Sequence, residues 1–337
     1  MPRPPAPLPD DLDDVFSSRT ARDAGVSRRR LRHPSLPAPF RGVRMRSTSP
    51  PPDDDGDIAA QARALRTEIE RHARAFATIA PSDGFFSHVT AAVLWNLPLP
   101  IRLLRTVLHG ETPRGIDVSV PTPRRAPKSA GVRGHALLPA LTGIVPHAGL
   151  RVTSPATTWA LLAPLLSVDE LIEAGDAIVR IPRKKGMQRG APSDALASLT
   201  QLARCLDAGR REGIGRLRAA LPQIRVGSAS VGETRVRLAC ARAGLPEPDL
   251  DFDVFDGDGQ AIGFTELAYP AWRLLIEYEG DHHRTDRAQW DRDIEKHAAC
   301  TAAGWETIRL TARHLRESGA PAVQRVRDAL IRAGWHP

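Results

Sequence analysis

Cysteine is scarce: 3 in 337 residues, with Cys205, Cys240 and Cys300 far apart and no CxxC pair. That spacing argues against a disulfide framework or a cysteine-built zinc centre and fits a reducing cytoplasm, the expected compartment. Long apolar runs are also missing. No stretch approaches the roughly 18 uninterrupted apolar residues of a membrane span, so no membrane association is expected. The opening MPRPPAPLPD lacks an apolar h-region, so no secretory leader is expected there. Aromatics make up 5%, with only 2 Tyr and 8 Phe, too few for the aromatic platform of a typical glycosidase.

What is present is positive charge. Against 39 Asp+Glu stand 47 Lys+Arg, a net +8, and the pI is near 10.2. A GC-rich coding background gives the same excess without function. Its clustering, however, favours a polyanionic partner, and DNA is the expected one.

The chain punctuates itself. The proline-rich residues 1–10 read as a loose tail. Residues 11–48 read as a small winged helix-turn-helix. It has a first helix carrying Leu12, Val15 and Phe16 and ending at Gly25, and a second behind the N-cap Ser27. The ribbon PFRGVRMRS closes it. Arg28, Arg29, Arg30 and Arg41 are its candidate DNA contacts, with a merely solvated helix as the alternative. Residues 49–57 (SPPPDDDGD) form a linker. Residues 58–180 read as a mixed α/β domain, with a long helix from Ala59 to Ala77 and a strand alternating Ile116, Val118 and Val120. Ser154-Pro155 opens an apolar helix. Residues 181–227 are a basic linker and connecting helix. Residues 228–337 read as helix, three-strand meander, helix, strand, helix. The expected class is therefore α/β in the broad sense, an α+β multi-domain chain.

The chemistry concentrates in RLLIEYEGDHHRTD. Period-two alternation sets Leu274, Ile276 and Tyr278 on one face and Leu275, Glu277 and Glu279 on the other. Carboxylates on an otherwise apolar strand are costly without a cation. Glu266 ends the preceding strand and Glu233 lies on the opening helix. An oxygen-only set of this kind suits Mg²⁺ or Mn²⁺. Such an ion lowers the pKa of bound water for phosphodiester hydrolysis. His282 or His283 is placed to move a proton, although an ordinary polar turn is equally consistent. Glu233 also completes S-V-G-E, a capping box on Ser230. The histidines His88, His109, His135 and His147 show no ligand spacing and read as structural.

The text SVGETRVRLACARAGLPEP followed by ELAYPAWRLLIEYEGDHHRTDRAQWDRDIEKHAACTAAGWETIRLT resembles the Vsr-like branch of the PD-(D/E)xK nucleases, an actinobacterial group, over residues 228–313. The resemblance implies a restriction-endonuclease-like sheet and a divalent-metal site. Glu266 would stand in the aspartate position, Glu277 in the (D/E) position, Glu279 in the lysine slot, and Glu233 on the first helix. Two departures stand out: Glu266 is one methylene longer than aspartate, and E-x-E lacks the motif lysine. Arg292 and Lys296 are candidate substitutes for that cation, and Asp293 a support residue; a solvated helical face is the alternative reading. The chain up to residue 180 more loosely resembles AbiEi-type antitoxins and regulators of type IV toxin–antitoxin systems. That likeness makes an inactive nuclease fold in a DNA-binding regulator the alternative function, with a cognate toxin as a conceivable partner.

Overall fold

A computed structural model describes residues 5–47, 57–109, 113–184, 188–279 and 287–336, with only the helical backbone described for 287–293. The protein is a mixed α/β chain of two compact units: Met1–Leu165 with Arg204–Ile214, and Leu166–Ala203 with Gly215–Pro337.

The first unit opens with β1 (Val15–Ser17), α1 (Ser18–Asp23), α2 (Arg28–Leu31) and β2 (Val43–Met45). The expected first helix is corrected at its start. Val15 and Phe16 are extended, because Ser17 caps the helix only there, accepting the Thr20 N–H at 2.9 Å. The expected ribbon is also different: β2 is its sole strand and pairs antiparallel with the distant β1. Ser27 caps α2 as expected, through the Arg30 N–H at 3.2 Å. Leu8, Leu12, Phe16, Ala21, Val26, Leu31 and Leu36 form the core of this piece. The loose tail is thus corrected at Leu8, whose burial anchors residues 5–10.

The unit continues with α3 (Ile58–Ala77), β3 (Phe85–Phe86), α4 (His88–Leu94), α5 (Ile101–Leu108), β4 (Ile116–Pro121), β5 (Val132–Leu137), β6 (Ile144–His147), β7 (Leu150–Thr153) and α6 (Pro155–Leu161). Asp57 caps α3 through the Ala59 N–H at 2.8 Å. The five-stranded sheet has the order β5-β4-β3-β7-β6. Its β4/β5 and β3/β7 pairs are parallel and the other two antiparallel.

The second unit holds α7 (Val168–Val179) with its Ser167–Glu170 capping box. The chain then runs through α8 (Leu199–Asp207) and α9 (Ile214–Ala220), along which it leaves this unit and returns. It ends with α10 (Val231–Arg242), β8 (Asp249–Phe255), β9 (Ala261–Tyr269), β10 (Leu274–Glu279), α11 (Arg287–Ala302), β11 (Glu306–Thr311) and α12 (Ala320–Arg332). The sheet runs β11-β10-β9-β8; only β10/β11 is parallel. A parallel pair needs a crossover, and α11 supplies it.

Both sheet faces are covered. Leu267, Tyr269, Leu274 and Ile276 pack with Val236 and Cys240 of α10 and Val326, Ala329 and Leu330 of α12. Val254, Ala268 and Leu275 pack with Cys300 of α11. The boundary at residue 180 moves upstream, because α7 packs in this unit. Glu173 accepts from Arg235 at 2.7 Å, and Asp176 accepts from Arg237 at 2.9 Å and from Thr234 at 2.8 Å. These ties join residues about 60 positions apart, so local sequence carries no sign of them.

Candidate functional site

The site forms where β9 and β10 part. Their ladder stops at Ile276↔Leu267, so Tyr278 lies beyond the backbone pairing with β9. Glu266 fills the fork: its Oε2 accepts the Tyr278 N–H at 2.7 Å. Glu266 shares a face with Ala268, and Glu277 shares one with Leu275, both on the α11 side. Glu277 meets α11 there, paired with Lys296 through Oε1 and with the His297 Nε2 at 3.1 Å through Oε2. Glu279 lies nearer solvent, 3.4 Å from the Arg309 Nε, which also donates to the His297 Nε2 at 2.9 Å.

Glu233 enters from α10. The Ser230 Oγ accepts the Glu233 N–H at 3.2 Å, and the Glu233 Oε2 accepts the Ala229 N–H at 2.7 Å. The expected capping box is therefore corrected: Ser230 caps the helix, but the Glu233 carboxylate accepts from Ala229 and not from the N-cap Ser230 N–H, and this contact does not exclude a second role. Glu233 is only 2% exposed, and its carboxyl lies close enough to raise that of Glu266. Gly232 makes this approach possible: a Cβ there would sit 2.1 Å from the Tyr278 ring.

The electrostatics follow from this crowding. Burial, then Glu233 and Glu277, push the Glu266 carboxyl up to about 8, against the Tyr278 N–H and Lys296, which pull it down. Burial likewise raises Glu233, while the Ala229 and Ser230 hydrogen bonds and Arg180 oppose it. At neutral pH the fork holds a protonated Glu266 beside Glu277 and the Lys296 ammonium.

Sequence reasoning placed Glu233, Glu266, Glu277 and Lys296 together, and they are electrostatic neighbours. It missed His297 and Arg309, because their link to the acids comes from helix crossing and strand register (Glu277↔Arg309) rather than from spacing. His282 and His283 lie outside the described residues, as do the side chains of Arg292 and Asp293, although both of the latter fall on α11. Among the described residues, the three potential ligands whose atoms come within 4.8 Å of one another are elsewhere, at His88, Asp117 and His135. The three glutamates do not form such a set.

In the first unit Arg28, Arg29 and Arg41 are exposed, as a DNA contact requires. Arg30 is committed inward: its Nε donates to the Ala6 carbonyl at 2.7 Å and its Nη1 to the Ser35 Oγ at 3.1 Å.

The chain is 28% identical over 185 residues to the uncharacterized proteins MT2308 and Rv2248 of Mycobacterium tuberculosis, covering 55% of this chain. It spans 64% of the length of those relatives. No family model and no solved structure matches.

Proposed function

We propose that the second unit is a divalent-metal-dependent endonuclease fold acting on DNA phosphodiesters, and that the winged helix-turn-helix-like residues 11–47 of the first unit contact DNA. The observation that carries this reading is the fork between β9 and β10, where Glu266 and Glu277 face a lysine on α11. Mg²⁺ or Mn²⁺ matches the chemistry of the donors, and binding would draw the three carboxylates closer together. Glu266, Glu277 and Glu233 offer hard carboxylate oxygens, and crowding that forces a proton onto Glu266 is crowding a cation relieves. These three side chains would hold the ion. When bound, it would polarise a phosphoryl oxygen and acidify a water.

The chain's own residues have separable tasks. Glu266 ties the site to the Tyr278 backbone and so fixes the fork opening. Lys296 would supply from α11 the cation that E-x-E lacks in the motif-lysine slot, to meet a phosphate oxygen or the attacking water. His297, hydrogen-bonded by Arg309 and facing Glu277, is the described group best suited to carry a proton. Arg28, Arg29 and Arg41 would neutralise backbone phosphates.

A second reading is favoured by one observation: both Glu277 oxygens are already engaged, by Lys296 and His297. In that reading the nuclease fold is inactive and the protein is a DNA-binding regulator. Nicking of supercoiled plasmid by the full chain in Mg²⁺ or Mn²⁺ separates the two. Metal-dependent nicking lost in Glu277→Ala supports the nuclease. Salt-sensitive DNA binding with no nicking in either metal supports the regulator.

A further inference from the structure

The first unit contains a second cluster, built on another sheet and unrelated to the carboxylate fork. β4 sends Ile116, Val118 and Val120 to one face and Asp117 and Ser119 to the other. His135 on the parallel neighbour β5 stands beside Ser119 in register, and its Nε2 lies 2.8 Å from the Asp117 Oδ1. His88 opens α4 in the left-handed region, at φ +48°, a cost for a non-glycine residue that aims its ring over His135. The two imidazoles stack with centroids 4.0 Å apart and planes 22° from parallel. The structural role expected of both histidines is compatible with this contact, which no ligand spacing in the sequence announces. His109 and His147 fit the same role: one pairs with Glu68 at 2.6 Å, the other meets the Leu94 carbonyl at 3.0 Å.

We propose that His88, Asp117 and His135 bind a borderline transition-metal dication such as Zn²⁺. Their ligand atoms already lie within 4.8 Å of one another. Two imidazoles and a carboxylate form a donor set suited to that ion and leave a fourth position for water. The support expected around metal ligands is present on two of the three. The His88 Nδ1 is 2.8 Å from the Ser87 Oγ, which is itself 2.6 Å from the Ser119 Oγ, and the Asp117 Oδ2 accepts the Val89 N–H at 3.2 Å. Asp117 is buried, while the His135 side chain keeps 16% of its surface exposed.

Donors of a tetrahedral zinc ion stand about 3.3 Å apart, which follows from Zn–N distances of about 2.0–2.1 Å. Binding therefore draws the His88 ring out of its stack and toward Asp117. The ion takes the place of the hydrogen between His135 and Asp117: the imidazole presents its Nε2 lone pair with its ring hydrogen carried at Nδ1, and each residue gains a bond to the ion.

Co²⁺ titration of the full-length protein, followed by absorption, is the test. One equivalent should give the visible d–d bands of a low-coordinate imidazole site, displaced by Zn²⁺. The bands should persist in Glu277→Ala and disappear in His135→Gln with an unchanged circular-dichroism spectrum. The proposal is overturned if folded wild-type protein gives no such bands with excess Co²⁺. It is equally overturned if they accompany a near-ultraviolet thiolate charge-transfer band, which assigns the ion to cysteine. Retention of the bands in folded His135→Gln also overturns it, and should that variant not fold, the wild-type spectrum alone decides.

Discussion

Asp176, fully buried, and Glu266, partly buried, are carboxylates of the same unit with opposite surroundings. Asp176 on α7 is 1% exposed. It accepts hydrogen bonds from Arg237 at 2.9 Å, Thr234 at 2.8 Å and the Arg225 N–H at 2.8 Å. Burial raises its carboxyl, but those partners all favour the ion. Glu266 has one backbone donor and two acidic neighbours, and its carboxyl is pushed to about 8. The first carboxylate is a finished structural tie. The second is left short of positive charge, the condition in which a bound cation contributes most.

Removing the finished tie should have the largest effect on stability. Asp176→Ala leaves Arg237 charged and only 3% exposed on its side chain. Breaking a buried pair in this way costs about 3–5 kcal/mol. Chemical denaturation of the variant should show that loss, and a near-zero change would erase the contrast.

Glu266→Gln should move stability the other way at alkaline pH. In the folded protein the Glu266 carboxyl titrates near 8, against an ordinary value of 4.5. Between these values the folded state holds a proton that the unfolded state does not, so stability falls as pH rises through that window. The variant should flatten this slope and gain about 1–2 kcal/mol near pH 8, discounted from the linkage limit because the fork reaches solvent. Melting curves from pH 5 to 9 read this directly. A variant as steep as wild type would show that Glu266 is ionised throughout.

Lys296→Met should sharpen the difference further. It removes a group that lowers the Glu266 carboxyl and frees one oxygen of Glu277. Mg²⁺ binding should persist or tighten while nicking falls by about tenfold or more, as expected for a lost charge-stabilising or water-positioning group. Equal loss of binding and nicking would make Lys296 merely structural. The smallest effect belongs to the first unit. Replacing Arg28, Arg29 or Arg41 by Ala should each lower the salt slope of DNA binding by about 1, while Arg30→Ala acts through stability because its donors are engaged internally.

How far the sequence could be read follows from element length and contact range. Each element from α10 to α12 carries local signals of its own: Ser230 as cap, Gly244 and Gly304 after the helices, alternation in β10. The four acids and Lys296 fall on such elements, so their faces could be assigned before their contacts were known. Two-residue β3 and four-residue β6 are too short for any periodicity. β1 was hidden inside a helical pattern that the Ser17 cap cuts short. His135 and Asp117 lie 18 positions apart and meet only through the parallel register of β4 and β5, which no local spacing encodes. The placement of α7 depended on the same kind of long-range tie.

We propose that Glu266 carries a proton that a divalent cation replaces. Calorimetric titration of Mg²⁺ into the full-length protein at pH 7, in buffers of different ionisation enthalpy, measures binding and proton release together. Mg²⁺ avoids the imidazole cluster by its preference for oxygen. Wild type should show saturable binding with close to one proton released, and Glu266→Gln little release. Binding without proton release, or no binding at all, would contradict it.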